Sequence, residues 1–115
     1  LGHLLEICQG SHLAATVRLD NIPLLDNSVL DYLEQGCVPG GSSRNWDSIR
    51  QNISGTDLQS QTLLCDPQTS GGLLVAVDKD SAEVVSELLK ASGCYHLPIG
   101  TLSESTDGAT IQVIT

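Results

Sequence analysis

Phenylalanine and methionine are absent from this 115-residue chain, and Trp46, Tyr32 and Tyr95 are its only aromatic residues. With 40% of the residues apolar, a core has to be assembled from Leu, Val, Ile and Ala. Basic residues are scarce as well: five Lys and Arg stand against 14 Asp and Glu, for a net charge of −9. Such a surface repels a phosphate backbone and anionic lipid, which argues against nucleic-acid and membrane partners. No apolar run approaches the roughly 20 residues that span a bilayer. The four cysteines, Cys8, Cys37, Cys65 and Cys94, form no C-x-x-C pair, which argues against a zinc knuckle or a dithiol redox motif. Their near-regular spacing has no matching flanks, so it is not read as a repeat. No histidine has a second ligand at metal-site spacing. The missing Met and the helical opening read as part of a longer protein.

What is present predicts one domain, large enough to bury about two-thirds of its unfolded surface. Leu1, Leu4, Leu5 and Cys8 recur at helical spacing up to Gly10. Ala14 to Leu19 reads as a strand. A helix from Ser28 carries Val29, Leu30 and Leu33 on one face and ends at Gly36. Residues 36–45 read as a Gly/Ser/Pro loop, and 46–55 are polar and without clear period. Thr56 with Gln59, and Asp80 with Glu83, have the spacing of capping boxes. They predict a short helix through Leu64 and a second one with Ala82, Val85, Leu88 and Leu89 as its apolar stripe, closed by Gly93. Leu73 to Val77 reads as a short buried strand. Leu97–Leu102 and Ala109–Ile114 read as two more, joined by a turn at Asp107-Gly108. This order predicts the α/β class with α+β character: an open mixed β-sheet with helices packed on it. Cys8 and Cys37 fall at apolar helix positions and read as core thiols.

Two segments carry candidate chemistry. In Cys65-Asp66-Pro67-Gln68-Thr69-Ser70-Gly71-Gly72, Pro67 stiffens the chain, and Gly71 and Gly72 leave backbone N–H groups unshielded. With the side chains of Gln68, Thr69 and Ser70, this turn suits an anionic group. It is not a P-loop: the Lys is missing, and the run enters a strand, so no helix dipole is aimed at a phosphate. The competing reading is a plain tight turn, with Asp66 before Pro67 as its initiator. The second segment is Val38-Pro39-Gly40-Gly41-Ser42-Ser43-Arg44-Asn45. Gly40 and Gly41 let backbone approach a ligand, and Arg44 can grip a phosphate with two parallel hydrogen bonds. The competing reading is a mobile surface loop. His3 lies near the start of the first helix. His12 and His96 are given no role. Cys65 adjoins the polar turn, with a structural thiol as the favoured reading.

These motifs also occur in a family-specific order. Leu1-Gly2-His3-Leu4-Leu5-Glu6, then Gly36-Cys37-Val38-Pro39-Gly40-Gly41 with Arg44-Asn45, then Cys65 through Gly72 resemble the C-terminal domain of the selenophosphate synthetases (selenide, water dikinases). These belong to the aminoimidazole ribonucleotide synthetase superfamily, and the likeness spans nearly the whole chain. The resemblance implies that an N-terminal catalytic domain precedes Leu1. It implies a parent, a phosphotransferase, that makes selenophosphate, AMP and phosphate from ATP, selenide and water with Mg²⁺. The nucleophilic Cys or selenocysteine, its Lys and the metal-binding aspartates then lie outside these 115 residues. Gly40, Gly41, Arg44, Asn45, Gln68, Thr69, Ser70, Gly71 and Gly72 become ligand- or phosphate-binding candidates, with no catalytic residue and no metal ligand here. The implied partners are the N-terminal domain, ATP and selenide, in a cytoplasmic homodimer. The 115 residues alone are expected to turn over no ATP, to hold no cofactor tightly, and to expose Leu1, Leu4 and Leu5 where that domain would pack. The alternatives are a related ATP-dependent superfamily enzyme, such as a thiamine-phosphate kinase or a purine-pathway synthetase, and a non-catalytic binding or dimerisation module.

Overall fold

The structure, a computed structural model, describes residues 1–105 and 108–115. Helix α1 (Gly2–Ser11) turns through His12, which sits in the left-handed region at φ 57°, into strand β1 (Leu13–Arg18). Helix α2 (Ser28–Glu34), helix α3 (Gly40–Ile49), the two-residue strand β2 (Ile53–Ser54) and helix α4 (Leu58–Leu64) follow. Helix α5 (Ala82–Ala91), strand β3 (Gly100–Glu104) and strand β4 (Ile111–Ile114) complete the order. The four strands form an open sheet in the order β2-β4-β1-β3. β1 is parallel to β4 and antiparallel to β3, so the sheet is mixed, as the sequence predicts.

Period-2 alternation explains where the core lies. Ala15 pairs with Ile111 and Val17 with Val113, and all four are buried on one face of the sheet. Leu5 and Cys8 from α1, Ile49 from α3 and Cys65 just after α4 close over that face, with Leu1, Leu4, Trp46 and Leu64 packed at its margin. Leu1, Leu4 and Leu5 therefore point into the domain's own core, against the expectation of an exposed patch. Arg18 and Gln112 are exposed on the opposite face, and α5 leaves Val84 and Leu88 largely in solvent.

Several expectations are corrected. The loop expected over 36–45 is helical from Gly40 onward, because Pro39 sets an extended entry and Ser42, Trp46 and Ile49 turn inward. Burial outweighs the weak helix propensity of Gly, Ser and Asn. Cys37 lies beyond the end of α2 and is exposed rather than a core thiol. The strand expected at 73–77 does not form: these residues pair with none of the four strands and, among the described residues, make no backbone hydrogen bond. The final two strands are not hairpin neighbours, since β1 lies between them, and β3 starts at Gly100 rather than Leu97. The expected Asp107-Gly108 turn involves Asp107, which lies outside the described residues. The α4 capping box is one residue later than expected. Asp57 Oδ1 accepts from Ser60 N at 2.8 Å, and Ser60 Oγ accepts from Asp57 N at 2.9 Å. No side-chain cap forms at α5, where a 3₁₀ turn at Lys79–Ser81 leads in instead of the Asp80/Glu83 box.

Gly55 holds the sheet's edge. Its φ is 77°, and a β-carbon there would run into the Val113 carbonyl. Replacing Ile111, which is fully buried, with Ala should lower the unfolding free energy by about 2–5 kcal/mol, measured by urea titration. The hydrogen bonds from Ser60 hold the Asp57 carboxyl below its usual pKa. A carboxyl depressed in the folded state adds stability above its unfolded pKa of about 4, and that stability is lost as pH falls through the depressed value. Asp57→Asn should therefore narrow the difference in melting temperature between pH 6 and pH 3. An unchanged difference would show that the cap does not titrate with folding.

Candidate functional site

The first turns of α3 and the end of α4 bring the two candidate segments together. Gly41 packs against the ring of Pro67: a β-carbon at Gly41 would lie 2.8 Å from Pro67 Cγ and 2.9 Å from its Cβ. One helical turn later, Asn45 Nδ2 donates to the Cys65 carbonyl at 2.9 Å. The backbone nitrogen of Leu1 donates to the Leu64 carbonyl at 2.9 Å, so the start of α1 joins the same corner.

The pair Gly40 and Arg44 lies one position earlier on α3. Arg44 folds back along the helix, so that a β-carbon on Gly40 would lie 3.9 Å from Nη1. Its guanidinium is exposed, and among the described residues it has no acidic partner within salt-bridge distance. Pro39 offers no side-chain cap. Ser42 N donates to the Pro39 carbonyl at 3.0 Å, while the N–H groups of Gly40 and Gly41 have no acceptor among the described residues and lie beside a cation that folds back toward them. Read as running into a strand, the polar turn is expected to have no helix dipole aimed at it. The structure sets the turn against the first turns of another helix. Ser42, in the same first turn, is buried, and its hydroxyl lacks a hydrogen-bond partner among the described residues. Sequence reading missed Ser42 as a buried residue because nothing local marks 40–49 as a helix.

Gln68 N donates to the Asp66 carbonyl at 3.0 Å and tightens the turn. Gln68, Thr69, Ser70, Gly71 and Gly72 are all exposed, and Gln68 Oε1 lies over Gly71. Further on, Gly72, Leu73 and Leu74 line a shallow groove of about 490 Å³ with His3, Glu6 and Ile7 of α1. His3 Nδ1 stands 3.4 Å from Glu6 Oε2 there. The structure thus joins Gly41 and Asn45 to the start of the turn, and Gly72 to His3. Among the described residues it shows no hydrogen bond from Arg44 to Thr69 or Ser70.

Burial pushes the Cys65 thiol up in pKa, as it does Cys8. Such groups are protonated at neutral pH and are poor nucleophiles. Among the described residues no three His, Cys, Asp or Glu side chains stand close enough to hold a metal ion. Also among the described residues, no helix is long and apolar enough to cross a membrane.

The family model described as "AIR synthase related protein, C-terminal domain" matches residues 1–112. The chain is similar to the selenide, water dikinases of Shewanella sp. (strain MR-4), at 46% identity, and of Haemophilus influenzae (strain Rd), at 47%. These matches cover 96% and 93% of this chain and 31% of each relative. Colwellia psychrerythraea has a selenide, water dikinase 48% identical over 92% of the chain and 30% of its own length. The chain thus spans about a third of the length of the curated relatives it matches.

The thiols divide by exposure. Under native conditions at pH 8, Cys37 and Cys94 should react with a thiol reagent at least about tenfold faster than Cys8 and Cys65. Peptide mass spectrometry reads the order, and rapid labelling of Cys65 would show that the corner beside the turn opens.

Proposed function

Since the chain belongs to the family of the AIR synthase related protein, C-terminal domain, we propose that it is the C-terminal domain of a selenophosphate-forming ATP-dependent enzyme. The parent converts ATP, selenide and water to selenophosphate, AMP and phosphate. The observation that carries this reading is the meeting of the Gly-Gly-x-x-Arg-Asn run with the Asp66–Gly72 turn in a chain nearly half identical to selenide, water dikinases.

On this reading the corner forms one wall of the ATP-binding cleft. The N–H groups of Gly40 and Gly41, the Arg44 guanidinium and the backbone of Gln68 to Gly72 receive an anionic phosphate oxygen, with the Thr69 and Ser70 hydroxyls beside them. Backbone donors carry no charge of their own, so Arg44 supplies the local cation in an otherwise acidic chain. Bound ATP is positioned here, while its activation belongs to the preceding domain. That domain also carries the nucleophile and the carboxylates for Mg²⁺, which neutralises polyphosphate charge when bound. It covers apolar side chains that this chain leaves in solvent, such as Leu73 and Leu58. The parent works as a cytoplasmic homodimer.

Phosphorus NMR on the intact parent with Mg-ATP and selenide, under anaerobic conditions, should show selenophosphate and an equal amount of AMP. ATP left intact, or cleaved equally without selenide, would reject this assignment. In the same assay Arg44→Ala should raise the KM for ATP about tenfold or more, as expected for the loss of a charge-assisted contact.

A further inference from the structure

Gly41 and Asn45 stand one turn apart on the same side of α3, and both face the segment that follows α4. A side chain at Gly41 would overlap the Pro67 ring. The Asn45 amide donates to Cys65, whose carbonyl lies at the end of α4, where backbone acceptors lack helical donors. Beyond the Gln68–Asp66 bond, residues 69–77 make no backbone hydrogen bond among the described residues. Residues 66–77 are exposed throughout. The long run from Pro67 to α5 is therefore anchored at its start chiefly by these two contacts.

We propose that Gly41 and Asn45 are positioning residues that clamp the Cys65–Gln68 turn to α3. They thereby set the Thr69–Gly72 backbone relative to Gly40 and Arg44, without touching the ligand themselves. The run Gly40-Gly41-x-x-Arg44-Asn45 then divides into two i,i+4 pairs. Gly40 with Arg44 faces the ligand, and Gly41 with Asn45 faces the turn. The ligand side of this inference rests on the phosphate-binding reading above. The clamp itself rests on the two contacts.

The intact parent carrying Asn45→Ala or Gly41→Ala tests it by three readouts: steady-state AMP release with ATP varied, melting temperature, and hydrogen exchange by mass spectrometry. Asn45→Ala and Gly41→Ala should each raise the KM for ATP about tenfold and leave kcat within about twofold, the pattern of lost uniform binding. Exchange over 69–72 should quicken while the melting temperature holds. Unchanged KM and unchanged exchange in both single variants would overturn the clamp, as would a KM change accompanied by general unfolding. If the wild-type parent releases no selenide-dependent AMP, the functional reading fails separately. Exchange over 69–72 then decides the clamp alone: faster in Asn45→Ala supports it, unchanged overturns it.

Discussion

The parallel pairing of β1 with β4 is the constraint on which the rest of the molecule depends. It joins Ala15 to Ile111 and Val17 to Val113, residues from opposite ends of the chain, and makes the dry face of the sheet. With no Phe or Met and one half-buried Trp, a packed core needs close in-register contact between small and branched side chains. That seam supplies the apolar surface on which α1 and α3 lie. Closing so long a loop is entropically costly, though the cost grows slowly with length. The intervening segments can therefore vary in shape while the seam holds.

α3 links this core to the corner where the two candidate segments meet. Its inner side, with Trp46 and Ile49, belongs to the core, and its first two turns carry Gly40, Gly41, Arg44 and Asn45. The corner inherits its rigidity from the sheet through one short helix. A Gly-rich start costs helix propensity, and the burial further along α3 offsets that cost. In return the backbone can approach a neighbouring segment more closely than any residue with a β-carbon allows.

The parts legible in the sequence are those whose apolar spacing is local. α1, α2, α5, β1 and the alternation of β4 follow from periodicity. α3 was not legible, because its first turns carry turn-forming residues and its helical state comes from packing against distant elements. The 73–77 run shows the converse: its pattern suits a strand, yet a strand exists only where a neighbour pairs with it, and no pairing is made to these residues. The capping-box shift is a contest between adjacent acceptors that pattern alone does not resolve, since Thr56-Gln59 and Asp57-Ser60 both have the spacing. For the candidate site, residue types pointed to two segments that the structure brings together, and nothing local says that Pro67 lands on Gly41.

The unpaired run Leu73-Leu74-Val75-Ala76-Val77 also bears on how the chain behaves in a crowded solution. Five apolar, uncharged residues without proline, lying in solvent, have the composition of an aggregation-prone window. Asp78, Lys79 and Asp80 follow directly, and Asp66 and Pro67 stand upstream. They act as gatekeepers, because stacking such segments in register would bring like charges together. The acidic excess of the whole chain reinforces this by colloidal repulsion. The acidic excess thus adds like-charge repulsion wherever such segments of separate molecules meet.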